Sequence, residues 1–224
     1  MIIQTKSEIL FEEFCALFKI GCVAVPREKN KKTPDYDVTF GTLNVVAEVK
    51  EIERNEEEKE SDRLLELRGY GNATGGVPGQ RVRQKIQSSS PQIKARAQGI
   101  HPSLLVLYEQ HFAATNIGPY HIRVAMYGLE TFVFAVPEID APYVIGKKLG
   151  PRQKMTPNAN TSISAVATLL QRHTGAITLN VFHNKFAAIP LSPSMLAPYP
   201  IKQFRLGEAE PGGFQEWERV SDLP

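Results

Sequence analysis

The segment TPDYDVTFGTLNVVAEVKEIE, Thr33 to Glu53, contains two short apolar runs, DYDVTF and LNVVAEVK, separated only by Gly41 and Thr42. A two-residue loop with glycine first suits a type II′ turn, whose first central residue needs positive φ. The two runs therefore read as a hairpin with Phe40 and Leu43 flanking the loop. In that register Val38 opposes Val45, Tyr36 opposes Ala47 and Asp35 opposes Glu48. Because side chains alternate between the faces of a strand, one face carries Tyr36, Val38, Phe40, Leu43, Val45, Ala47 and Val49. The other carries Asp35, Asp37, Thr39, Asn44, Val46, Glu48 and Lys50.

Directly opposed like charges destabilise a strand pair. Two facing carboxylates call for a cation, and magnesium suits them because it takes oxygen ligands and keeps waters that a phosphate can share. Asp35 and Glu48 are thus expected metal ligands, with the Val49 carbonyl as a third and manganese as a substitute ion. Lys50 lies on the same face as Glu48 and places a positive charge beside the metal. Such a set suits phosphodiester hydrolysis, in which Lys50 orients a water or stabilises developing negative charge. The competing reading is an exposed hairpin face whose charges are merely solvated.

Around this hairpin the pattern is mixed α/β. KSEILFEEFCALFKI repeats its apolar residues at helical spacing, with Ser7 as the expected N-cap and Gly21 as the stop. The acidic stretch from Glu51 to Glu66 reads as a solvated helix or loop, and GYGNATGGVPGQ as a loop without a phosphate-binding glycine pattern. RVRQKIQSSSPQIKARAQ reads as helix, kinked at Pro91 or restarted at Ser90. SLLVLY is a continuous apolar strand of the kind covered on both faces. Farther on, TFVFAV and AITLNVFH look like strands, SISAVATLLQRH like a helix, and the proline-rich end from Pro190 like an irregular tail.

Charge is uneven although the net value is only +2. Fifteen of the 24 acids fall within residues 1–66, and residues 67–108 contain none against six arginines and lysines. Residues 141–207 again contain none against eight. Runs of this kind suit a polyanion, since lysine and arginine contacts to phosphate supply most sequence-independent affinity for nucleic acid. Arg81, Arg83, Lys85 and Lys94, on one expected helix, are the candidate phosphate contacts.

Pro34-Asp35 followed by Glu48-Val49-Lys50 on the next strand resembles the PD-(D/E)xK nuclease superfamily. The preceding helix with its glutamates, the basic helix and the buried strand are similar to that superfamily's restriction-endonuclease-like αβββαβ core, over about residues 6–110. The resemblance implies a mixed sheet and a magnesium-dependent endonuclease. It further implies a metal-assisting glutamate from the first helix, for which Glu8, Glu12 and Glu13 are candidates with Glu12 or Glu8 favoured by spacing. A polar residue from the helix after the ExK strand would complete the site, Gln92 or Lys85. From Ser162 onward SISAV and VFHNKFAAIPL also resemble the ends of some nuclease-like proteins. One domain over residues 1–224 is expected, with residues 111–224 as a C-terminal elaboration. The expected partners are nucleic acid, taken as DNA, and a second copy of the chain. A nucleic-acid-binding module that keeps the fold without catalysis, and an enzyme directed at RNA, stand as alternatives.

The remaining signals are structural. No apolar run reaches the roughly 18 residues of a spanning helix and no signal peptide is recognisable, so no membrane contact and a cytoplasmic location are expected. Cys15 and Cys22, the only cysteines, read as reduced small hydrophobes. His101, His111, His121 and His173 form no zinc or triad spacing. His183-Asn184 reads as a strand-end turn and Trp217 as a packing anchor.

Overall fold

A computed structural model describes residues 4–26, 33–70, 76–109, 117–137, 141–172, 174–209 and 213–220. His111 and His173 lie outside the described residues. Helix α1 (Lys6–Leu17) is capped by Thr5 rather than Ser7: the Thr5 hydroxyl accepts from the Glu8 N–H, and the Glu8 carboxylate accepts from the Thr5 N–H at 2.6 Å. Thr5 prevails because a glutamate stands three residues after it and completes this reciprocal box. The stop also falls earlier than Gly21. Lys19 takes φ +55° and the Ile20 N–H bonds back to the Cys15 carbonyl at 2.8 Å. Gly21 instead begins strand β1 (Gly21–Ala24).

Strands β2 (Tyr36–Phe40) and β3 (Leu43–Ile52) form the expected hairpin in the expected register, Tyr36 opposite Ala47 and Phe40 opposite Leu43, with Gly41 at φ +59°. β1 adds antiparallel to the outer side of β2. Helix α2 (Glu56–Arg68) starts at an Asn55/Glu58 capping box and buries only Ser61. Helix α3 (Gln80–Ala97) runs unbroken through Pro91, neither ending nor restarting there. An interior proline costs about 3 kcal/mol, but Val82, Ile86, Ser89, Ile93 and Ala97 form one buried stripe across it. Burying each large aliphatic returns roughly 1.5–3 kcal/mol, which offsets the break.

Strand β4 (Ser103–Glu109) contains SLLVLY, buried on both sides as expected. The rest of the chain supplies α4 (Pro119–Tyr127), β5 (Glu130–Ala135), β6 (Tyr143–Leu149), β7 (Ala165–Gln171), β8 (Ile177–His183), α5 (Pro193–Leu196), β9 (Ile201–Leu206) and β10 (Trp217–Arg219). Eight strands form one mixed sheet in the order β1-β2-β3-β4-β7-β8-β9-β10, and β5 pairs with β6 in a separate ribbon. β4 is parallel to both of its neighbours.

Two expectations fail here. The segment expected as a helix from Ser162 contains β7, whose AVATL is buried throughout between β4 and β8. A fully buried strand shows no alternation, so periodicity cannot separate it from a buried helix. The proline-rich end is likewise ordered into β9 and β10, where Trp217 packs on Phe182 and donates to the Pro119 carbonyl.

Each face of the sheet holds a core. On one, Leu10, Phe11, Phe14 and Cys15 of α1 meet Tyr36, Val38, Val45, Ala47, Val106 and Ala167. On the other, Val82, Ile86 and Ile93 of α3 and Ile122 and Met126 of α4 meet Ile52, Leu105, Leu107 and Val166. Both cysteine thiols are free and lie beside each other. Among the described residues no helix is long and apolar enough to cross a membrane.

Candidate active site

Asp35 stands one residue before β2, while Glu48 and Lys50 lie on β3, all on the face that α3 covers. The register brings Asp35 level with Glu48, and their carboxyl groups lie within hydrogen-bonding reach. Asp35 Oδ2 accepts from the Val49 N–H at 2.9 Å and lies 3.9 Å from Lys50 Nζ. Lys50 Nζ is in direct ion contact with Glu48 Oε1. The Glu48 side chain is wholly buried, against 11% exposure for Asp35 and 30% for Lys50. Neither Glu48 oxygen receives a well-aligned hydrogen bond, even from Lys50.

These facts have an electrostatic consequence. Burial, and then the Asp35 charge, push the Glu48 carboxyl from the ordinary 4.5 up to about 7, although Lys50 pulls the other way. A buried carboxylate with no well-aligned hydrogen bond, facing a second carboxylate, is a poor structural element but a good ligand for a hard cation. Backbone direction supplies a third oxygen. The Val46 N–H bonds to Pro102 on the β4 side, so strand alternation turns the Val49 peptide to the β2 side, where its N–H meets Asp35. The Val49 carbonyl therefore shares the Asp35 edge. Two carboxylates and one carbonyl fit magnesium, which retains several waters.

The helix-one glutamates do not join this pair. Glu8 is committed to the Thr5 cap, and Glu12 accepts from Tyr36 Oη and from Gln4 Nε2, each at 2.8 Å. Tyr36 belongs to the opposite face of the hairpin, so Glu12 is held on the α1 side, and Glu13 is exposed. Among the described residues no group of three or more histidines, cysteines or acids is arranged to hold a metal. Gln92 lies on the buried side of α3, the side turned to the Glu48 face, and Lys85 on the same helix is half-buried.

The basic helix divides. Arg83 is 3% exposed, with its guanidinium on Gln80 Oε1 and the Val124 carbonyl, so it cannot grip a phosphate. Arg81 pairs with Glu58 of α2. Lys85 and Lys94 keep access to solvent. Next to Arg81, Glu109 is pushed up to about 7 by burial, while the Ile117 N–H donates to it at 2.7 Å. Comparison with family models, with curated proteins and with solved structures gives no match.

The reading of His183-Asn184 as a strand-end pair holds. Asn184 is buried, donating to the Ile163 carbonyl at 2.8 Å and accepting from the Phe186 N–H, a turn residue at the end of β8. The His183 ring contacts Gln203 at 3.0 Å, and burial lowers its pKa. What the sequence did not signal is a cleft of about 360 Å³ on the Asp35 face, lined by Asp37, Asn44, Val46, Arg96, Gln98 and His101. Asp37 and Val46 could have been placed there from the hairpin register. The end of α3 that closes the cleft is at least 50 residues distant from them and left no local trace.

Proposed function

We propose that this chain is a magnesium-dependent nuclease that hydrolyses phosphodiester bonds in DNA, of the PD-(D/E)xK type. The observation that carries the reading is the buried Glu48 carboxylate, without a well-aligned hydrogen bond and within reach of Asp35 and Lys50. The order α1, β1 to β3, α3, β4 agrees with an αβββαβ core to which α2 and the elements from α4 onward are added. Asp35, Glu48 and the Val49 carbonyl would hold the ion. The chemistry a bound magnesium supplies is polarisation of a phosphoryl oxygen and acidification of a water. Lys50, in contact with both acids, would orient that water and stabilise charge developing on the phosphate. Gln92 is a further polar group on this face.

The experiment is nicking and linearisation of plasmid DNA in magnesium, manganese and EDTA, with wild type, Asp35→Asn and Lys50→Ala purified in parallel. Cleavage by wild type only, and only with metal, is expected. Without metal, Asp35→Asn is expected to bind DNA more tightly than wild type, because one charge opposing the phosphate is gone. Equal cleavage by wild type and Lys50→Ala would move the chemistry elsewhere. Tight binding by wild type without cleavage would leave a binding module.

A further inference from the structure

The cleft beside the carboxylate pair has a charge balance that narrows its ligand. Arg96 pairs with Asp37, through Nε to Oδ1 at 3.3 Å and through Nη2 to Oδ2. The one strong cation is thereby matched by an anion in the same wall, and a phosphate entering would meet the Asp37 carboxylate. The cleft is therefore not an anion site. Arg96 and the Asn44 and Gln98 amides offer donors, and Asp37 and the amide oxygens offer acceptors, with the His101 ring alongside. Mixed donors and acceptors in about 360 Å³ suit a flat polar heterocycle.

Position gives the second argument. Asp37 follows Asp35 by two residues and Val46 precedes Glu48 by two, so the cleft lies on the same face about 7 Å from the carboxylates at a rise of roughly 3.3 Å per residue. That is close to one nucleotide step along a strand. A base inside a duplex directs its edge at its partner, so only an unpaired or extruded base can enter such a cleft. Resting on the nuclease reading above, we infer that the cleft is a nucleobase site and that the preferred substrate carries an unpaired nucleotide beside the bond to be cut.

The test uses the full chain in EDTA and compares a fluorescein-labelled duplex containing one unpaired 2-aminopurine with the fully paired duplex, by anisotropy and by 2-aminopurine emission. Wild type is expected to bind the unpaired-base duplex at least about tenfold more tightly and to change the emission. The double variant Asp37→Asn/Arg96→Gln keeps the net charge and alters two half-exposed side chains, so it should fold. It is expected to lose the preference and the emission change while retaining its affinity for the paired duplex. Equal wild-type affinity for the two duplexes, or a preference unchanged in the double variant, overturns the nucleobase site and leaves the nuclease reading standing. Absence of binding to any oligonucleotide likewise overturns the nucleobase site, whereas the nuclease reading falls separately, on absence of plasmid cleavage in magnesium.

Discussion

Replacing Glu48 by glutamine should make the protein more stable at neutral and alkaline pH, although it removes the central residue of the site. The carboxyl is displaced upward in the folded chain, from 4.5 to about 7, so the folded state binds the proton more tightly than the unfolded state does. Stability from that proton is complete below pH 4.5 and is lost as pH rises through about 7. At about 1.4 kcal/mol per pH unit the gap amounts to roughly 3 kcal/mol, with the attraction of Lys50 already included. Glutamine imitates the neutral acid and carries no such loss. In EDTA, wild type and Glu48→Gln should therefore have similar stability near pH 4.5 and diverge by roughly 3 kcal/mol at pH 8, about 6–12 °C in Tm for a chain of this length. Urea unfolding at pH 4.5, 6, 7 and 8 measures the divergence directly, and contributions from Glu109, His121 and His183 cancel because both proteins share them. Magnesium at ten times its Kd should return about 1.4 kcal/mol to wild type at pH 8 and far less to the variant. Parallel stability curves for the two proteins would refute the reasoning, since they would show that Glu48 titrates as an ordinary carboxylate.

Lys94→Ala and Lys85→Ala should each weaken DNA binding about equally for all sequences and lower the salt slope by about 1, whereas Arg83→Ala should leave slope and affinity unchanged and reduce stability, as read by fluorescence titration and thermal melting. Asn184→Ala should cost about 1–3 kcal/mol in urea unfolding, because the Ile163 carbonyl and Phe186 N–H lose their partner in a buried turn.

The hairpin was legible because Gly41 fixes the loop length, and loop length fixes register, which in turn set Asp35 against Glu48. β4 was legible because an uninterrupted apolar run, preceded by Gly99 and Pro102, leaves few other readings. β7 was not, since burial on both faces erases the alternation that marks a strand. Arg83 shows a different limit: composition records a cation, but only packing against the α4 carbonyl at Val124 shows that it faces inward. Glu12 shows the same, because helical spacing could not reveal that the Tyr36 hydroxyl holds its carboxylate on the far face.

The parallel pairing of β4 with β7 sets a schedule for the chain during synthesis. When residue 109 has emerged, β1 to β4 can pair, yet one edge of SLLVLYE remains open until β7 is complete at residue 171. At roughly 5–20 residues per second that interval lasts about 3–12 s. During it an apolar strand with unpaired backbone groups is exposed, the kind of edge to which other chains add. A nascent chain paused once residue 109 has emerged but before residue 171 has would therefore be an aggregation-prone intermediate, and slow codons that pause it in that interval should lower soluble yield more than codons that pause it after residue 183 has emerged.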